Sequence, residues 1–258
     1  HVVAVVGDDF SFTDIEFLKA RNVNLEGLEV AAGQTFHWEG YYHENMNIRD
    51  TVSTDLGVFE GFDPKLPESS QNAEFLLLAN IDPALQLKVL DQIKKPRLIA
   101  FDTMNFWIEG RREEVEKMIG KVDLVILNDE EIFLLTKQYS PLGGAEMLLE
   151  MGPNFIVIKK GEHGSMLVTK DSPPFICPAY PITNPRDPTG AGDTFAGAMI
   201  GYLAATNDVS PFSMRRAMVY GSVAASFTVE EFGLNRLKEI DIDDLDSRYR
   251  ELQSMTEF

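Results

Sequence analysis

The sequence predicts an α/β protein with a mostly parallel central sheet and a small accessory β-sheet. Two features carry that prediction. From about residue 75 to 169, short aliphatic runs alternate with helical patterns, and strand–helix–strand alternation at this spacing implies right-handed crossovers between parallel strands covered on both faces. Between residues 29 and 59 the texture turns aromatic, β-branched and roughly alternating, as in half-buried antiparallel strands. With 258 residues, 44% hydrophobic and 25% charged, the chain can bury a continuous core as one large domain, or one with a small appendage.

Taken in order, Val2–Val6 reads as a buried strand. Thr13-Asp-Ile-Glu16 then spells a capping box opening a helix to about Arg21. Thr35 to Tyr42 and Thr51 to Phe59 are the accessory strands, with a polar turn between them, and the stretch from Pro64 to Asn72 leads back to the main body. The predicted strands of the sheet are 75–79, 98–101, 124–127, 155–158 and 166–169. The predicted helices between them cover about 84–93, 113–119, 130–135 and 145–151, and two late helices cover about 190–204 and 212–227. The acidic Asp241-Ile-Asp-Asp-Leu-Asp246 lacks the Gly and final Glu of a calcium loop and reads as a helix start. Ligands on open α/β sheets bind at the carboxyl ends of the strands. That rule singles out Asp102, Asn105, Asn128, Lys159 and Lys160.

Composition narrows the partners. The chain has 23 Lys and Arg against 41 Asp and Glu, a formal charge of −18. A field of that sign repels nucleic acid and anionic lipid, which need a basic footprint, so neither is expected. A phosphorylated ligand would need a local positive site that overrides the global sign. The single cysteine, Cys177, permits no internal disulfide and no cysteine-rich zinc cluster, which suits a reducing cytosol. The four histidines show no metal-helix spacing. No run approaches the ~18 apolar residues that span a bilayer, and no leader-like pattern is present, so the expected location is cytoplasmic.

The strongest motif is Asp187-Pro-Thr-Gly-Ala-Gly-Asp-Thr-Phe-Ala-Gly197, running into the apolar Ala198 to Ala204. Glycines at 190 and 192 leave no side chain between the backbone and an approaching anion. Successive N–H groups at a helix start, reinforced by the helix dipole, form an anion cradle. Asp193 is then a carboxylate beside the bound phosphate, suited to accept a proton from an attacking hydroxyl. A turn and an N-capped helix would explain Asp187-Pro188, but two glycines in a first turn each cost about 1 kcal/mol relative to Ala. Gly197 and Gly201, four apart, are expected to let this helix pack closely on a neighbour. Asn128-Asp-Glu-Glu131 places Asn128 and Glu131 on one helical face, where a carboxylate could hold magnesium through water; the same spacing also spells a capping box. Lys159-Lys160-Gly161-Glu-His-Gly164 allows close backbone approach with a lysine to offset phosphate charge, or is a hairpin turn with solvated lysines.

These motifs resemble those of the PfkB (ribokinase-like) carbohydrate kinases. Asp-x-Thr-Gly-Ala-Gly-Asp-Thr-Phe is similar to that family's C-terminal signature, Asn128-x-x-Glu131 to its Asn-x-x-Glu motif, Gly161-x-x-Gly164 to its Gly-x-x-Gly segment, and 29–59 to its β lid. The resemblance covers nearly the whole chain. It implies a ribokinase-like three-layer α/β/α sandwich, with residues 1–28 and 61–258 as catalytic domain and 29–60 as lid. It further implies an ATP-dependent sugar kinase with Asp193 as general base and Gly190, Ala191 and Gly192 as anion hole. Asn128, Lys160, Gly161, Gly164, Thr189 and Gly233 would bind the nucleotide, Asp102, Asn105 and Asp193 the acceptor, and Glu131 and Asp187 would organise Mg²⁺. A monovalent cation such as K⁺ occurs near the Asp187 position in many relatives, and a homodimer through the lid is a further family-based expectation. A nucleoside kinase and a non-catalytic nucleotide-binding relative are the alternatives. Relatives begin with a strand carrying a substrate-binding Asp and then a Gly-Gly segment, neither of which precedes Val2. The expectation is therefore that the natural chain starts upstream; otherwise its sugar site would be incomplete.

Overall fold

The computed structural model describes residues 1–43, 46 and 49–257. The chain forms two compact units, one made of residues 1–73 and 84–95, the other of 74–83 and 96–258.

In the first unit, β1 (Val3–Gly7) and β2 (Gly27–Ala31) pair in parallel around α1 (Phe12–Ala20). The helix starts two residues earlier than the Thr13 box requires: Ser11 is its N-cap, and no side-chain cap bond forms. Thr13 and Glu16 thus lie inside the helix, where they cannot reciprocate. The aromatic segment forms the antiparallel pair β3 (His37–Tyr42) and β4 (Arg49–Asp55) as expected, with a register shift between Glu39 and Gly40. Gly40 makes room for an indole there: a Cβ on it would meet the Trp38 ring at 2.0 Å. The predicted turn between these strands falls largely on residues 44, 45, 47 and 48, outside the described residues. Residues 57–59, predicted as strand, lie instead in a 3₁₀ turn over Gly57–Gly61.

The second unit is a six-stranded sheet in the order β10-β9-β8-β7-β6-β5. Strands β5 (Phe75–Leu78), β6 (Leu98–Asp102), β7 (Leu124–Asn128) and β8 (Phe155–Lys159) are parallel, while β9 (Ser165–Val168) and β10 (Phe175–Cys177) return antiparallel. Strand β10 was not anticipated, because three residues bracketed by Pro173, Pro174 and Pro178 carry no readable period. In the chain, helix α2 (Pro83–Leu90) follows β5 but belongs, from Ala84 on, to the first unit; α3 (Asn105–Gly110) and α4 (Arg112–Ile119) follow β6, and α5 (Asp129–Thr136) and α6 (Pro141–Leu149) follow β7. The late helices are α7 (Ala191–Thr206), α8 (Pro211–Thr228), α9 (Asn235–Glu239) and α10 (Ile242–Ser254). Helix α10 opens on a capping box between Asp241 and Asp244, as the acidic segment suggested.

Alternation along the strands sends side chains to both faces. Leu98, Ala100, Leu124, Ile126 and Val157 join Phe195, Met199 and Leu203 of α7 and Met214, Ala217 and Met218 of α8 in one core cluster. The alternate residues Phe101, Val125, Leu127, Ile156 and Ile158 are buried as well, on the side where α5 contacts β7 and α6 contacts β8. This is the three-layer arrangement predicted. The close approach of α7 and α8, however, does not use Gly197 and Gly201. Both are exposed with open space where a Cβ would sit, because the buried stripe of α7 runs through 195, 196, 199, 200 and 203. The helices meet instead at Gly221 of α8, where a Cβ would lie 2.8 Å from the Phe195 carbonyl oxygen. Stacked Tyr202, Tyr220 and Tyr249, 4.8 and 4.7 Å apart, tie α7, α8 and α10 together.

Candidate active site

The site assembles in the second unit where β6, β7 and β8 end and α7 begins. Asp187 is buried, and its carboxylate accepts hydrogen bonds from the Thr189 N–H at 2.9 Å and the Gly233 N–H at 3.5 Å. These bonds bring Asp187, Thr189 and Gly233 together and close the turn that leads into α7. At Gly190 the backbone takes φ +79°, ψ 0°, a left-handed conformation that glycine adopts without penalty. That twist starts the helix at Ala191. The Ala191 N–H donates to Pro188 O and the Thr194 N–H to Gly190 O. The N–H groups of Gly192 and Asp193, in the first turn, have no acceptor among the described residues. Asp193 is solvent-exposed, and its carboxylate makes no hydrogen bond or ion pair among those residues. A bond between the hydroxyls of Thr194 and Thr228, 2.9 Å long, fixes this first turn to the end of α8.

Asp102 ends β6 and Lys159 ends β8. The Lys159 ammonium lies 3.3 and 3.4 Å from the two Asp102 carboxylate oxygens, and the Thr103 N–H donates to Asp102 at 2.9 Å. Lys159 Nζ also reaches the helix start, 3.3 Å from where a Cβ on Gly192 would be. Burial works against the ammonium, but Asp102, Glu131 and Asp193 together hold its pKa above the usual lysine value. Burial pushes the Asp102 carboxyl up, attraction to Lys159 opposes it, and Asp193 adds to the rise. The two shifts pull the pair in opposite senses. The lysine's direction governs, because one ammonium serves three carboxylates and each favours its charged form.

Asn128 and Glu131 form a reciprocal capping box: Asn128 Oδ1 accepts from the Glu131 N–H at 2.8 Å, and Glu131 Oε2 from the Asn128 N–H at 2.7 Å. The local spelling thus has its capping role, and Glu131, 5% exposed, still faces Lys159 electrostatically. Among the described residues no three His, Cys, Asp or Glu side chains converge as a metal cluster; Glu131 and Asp187 already accept backbone hydrogen bonds. Lys160 and Gly164 close a tight turn through the Lys160 N–H and the Gly164 carbonyl at 2.8 Å, with Gly161 opening the 3₁₀ turn between them. Gly164 has no room for a side chain, since a Cβ would lie 2.2 Å from Cys177 O. It is Lys159, not Lys160, whose side chain pairs with Asp102. Asn105 Oδ1 and Thr103 Oγ1 are buried without a hydrogen-bond partner among the described residues, two acceptors following β6 that a ligand could satisfy.

Sequence reasoning placed Gly190, Ala191, Gly192, Asp193, Asp102, Asn128 and Glu131 around one strand-end cluster. It missed the ranking of the two lysines and the role of Thr103. Strand alternation cannot decide which residue of a Lys-Lys pair at a strand end turns inward. In the first unit, Asp9, Gln34, Thr35, His37 and Asp55 line a polar concavity of about 760 Å³, also unanticipated. There the Asp9 carboxylate accepts from the Thr35 hydroxyl and N–H at 2.6 and 2.8 Å.

Comparison with known proteins gives a consistent picture. The sequence model of the pfkB family carbohydrate kinases matches residues 1–240. The chain is 28% identical over 207 residues to the cytidine kinase of Thermococcus kodakarensis, an alignment covering 79% of this chain and 72% of that one. It is 30% identical over 122 residues to the ribokinase of Staphylococcus aureus, covering 45% of this chain and 38% of that one. Among solved structures, the nucleoside kinase of Methanocaldococcus jannaschii matches with a TM-score of 0.76 at 22% identity, over 96% of this chain and 80% of that one.

Proposed function

Because the chain belongs to the pfkB family of carbohydrate kinases, we propose that it transfers the γ-phosphoryl group of ATP to a hydroxyl of a sugar or sugar-like alcohol. The observation that carries the reading is the start of α7: a left-handed Gly190, unpaired N–H groups at Gly192 and Asp193, and an exposed carboxylate on the same turn. In the proposed reaction, Asp193 accepts the proton of the acceptor hydroxyl as its oxygen attacks the γ-phosphorus, and ADP departs with the bridging oxygen. The 190–193 amides and the positive end of α7 stabilise charge developing on the transferring group.

Asn128, Lys160, Gly161, Gly164, Thr189 and Gly233 are proposed around the nucleotide, and Asp102 and Asn105 toward the acceptor. Residues 29–60 are proposed as the lid whose closure excludes water, with 1–28 and 61–258 as the catalytic domain. The donor set suits Mg²⁺ held largely through water, as that hard cation prefers. Glu131 and Asp187 would hold it, and when bound it would neutralise phosphate charge.

A second reading is a nucleoside kinase, favoured by one observation: the cytidine kinase alignment spans far more of this chain than the ribokinase alignment. Coupled ATP turnover across a panel of sugars and nucleosides tests both. Acceptor-stimulated turnover with a free sugar supports the first, and turnover confined to nucleosides supports the second. ATP binding with no acceptor-stimulated turnover would overturn both in favour of a non-catalytic nucleotide-binding protein.

A further inference from the structure

The anion cradle belongs to a chain of formal charge −18, and it opens among the carboxylates of Asp102, Glu131 and Asp193. All three act on one ammonium, that of Lys159, whose side chain is 19% exposed beside an Asp102 side chain that is 7% exposed. The same ammonium stands 3.3 Å from the position a Cβ would take on Gly192. The glycine that opens the cradle therefore also brings a cation up to it. We propose that Lys159, fixed by Asp102, is the positioning cation of this site, its ammonium setting the charge balance between the Asp193 carboxylate and a phosphate group seated at Gly192. This deepens the kinase reading and rests on it.

The physical case is one of sign. A phosphate chain that approached Asp102, Glu131 and Asp193 without a compensating cation would meet like charges in a partly desolvated site, where Coulomb interactions are several times stronger than in water. The helix terminus offers only partial positive charge, about half an elementary charge. Lys159 supplies a full one, and its bond to Asp102 keeps a flexible side chain in place. The local positive site that the acidic composition demands is thereby built from a residue at the end of β8. A purely structural ion pair would act differently: it would neutralise Asp102, and removing both charges together would leave ATP affinity unchanged.

The test compares wild type, the double variant Asp102→Asn/Lys159→Met, Lys159→Gln and Lys159→Arg. The readouts are thermal unfolding, ATP-dependent turnover with the best acceptor of the panel, and calorimetric binding of ATP and of adenosine. The expected double variant unfolds near the wild-type temperature and binds adenosine normally. It binds ATP more weakly and loses about 10²-fold in kcat/KM for ATP, the usual scale for one charge-stabilising donor. Lys159→Arg should recover most of that loss. Should the double variant not fold, Lys159→Gln, which keeps a donor toward Asp102, gives the same reading: weaker ATP binding with adenosine binding unchanged. Wild-type ATP affinity in a folded double variant, or in Lys159→Gln, would overturn the proposal whatever the turnover. Wild type and Asp193→Asn in parallel separate the two levels: absence of acceptor-stimulated turnover in wild type removes the kinase reading, and full turnover in Asp193→Asn removes only its proton acceptor, while the ATP-against-adenosine comparison still decides Lys159.

Discussion

Cys177 and Lys159 show how far a side chain's surroundings, rather than its type, decide its chemistry. Cys177 is fully buried at the end of β10, and burial pushes its thiol up from the ordinary 9.0 to about 11. The unfolded thiol ionises first as pH rises, so the group's contribution to stability is complete below pH 9 and is lost as pH climbs to about 11. That contribution is on the order of 2–3 kcal/mol. Denaturant titrations of wild type and Cys177→Ser should show the stability difference shifting by this amount across that window, and a constant difference would contradict it. The helix start at Gly190, with Gly192 and Asp193 in its first turn, was legible in the sequence, because glycines at that spacing constrain the local backbone. The choice of Lys159 was not legible, because Lys159 and Lys160 are alike in type and differ only in which one the end of β8 turns toward Asp102, a partner 57 positions away.

At the scale of elements, the parallel strands and the helices between them could be read directly, since long apolar runs and amphipathic periods are local properties. Short elements were not: β10 and α3 hold too few residues to show a period. Helix starts depend on more than spelling. Asn128 with Glu131 forms the box its spacing allows, and the acidic helix start at Asp241 closes one with Asp244, while Thr13 with Glu16 loses to an N-cap at Ser11. Helical phase also overturned the packing role expected of Gly197 and Gly201, since spacing alone does not say which face is buried. This yields a paired prediction. Gly197→Ala should stabilise the protein by about 0.5–1 kcal/mol, because an exposed helical glycine gains from a methyl group that meets nothing. Gly221→Ala should destabilise it by about 1–3 kcal/mol through overpacking against Phe195. Chemical denaturation of both variants checks this, and equal effects would mean the α7–α8 contact is placed wrongly.

For the whole molecule, the charge of −18 and the partly buried Lys159 act over different ranges. The global field is carried by exposed groups and is screened within about 10 Å at ~0.1 M salt, whereas a buried pair is screened much less. Raising salt from about 10 mM to about 150 mM should therefore lower KM for ATP, because it weakens repulsion from the surface more than attraction at the cradle. A several-fold rise in KM over that range, read from steady-state kinetics, would mean that exposed cations dominate nucleotide capture. Composition announced the need for a local cation; only the fold, which gathers the ends of β6, β7 and β8 at the start of α7, shows which one meets it.

The chemistry assigned to the start of α7 is tested most directly by Asp193→Asn, with turnover and ATP binding measured on the same preparation. Loss of the proton acceptor should lower kcat by about 10²–10⁴-fold, the usual contribution of a general base, while ATP affinity stays close to wild type. A variant that turns over at the wild-type rate would contradict the account at its centre.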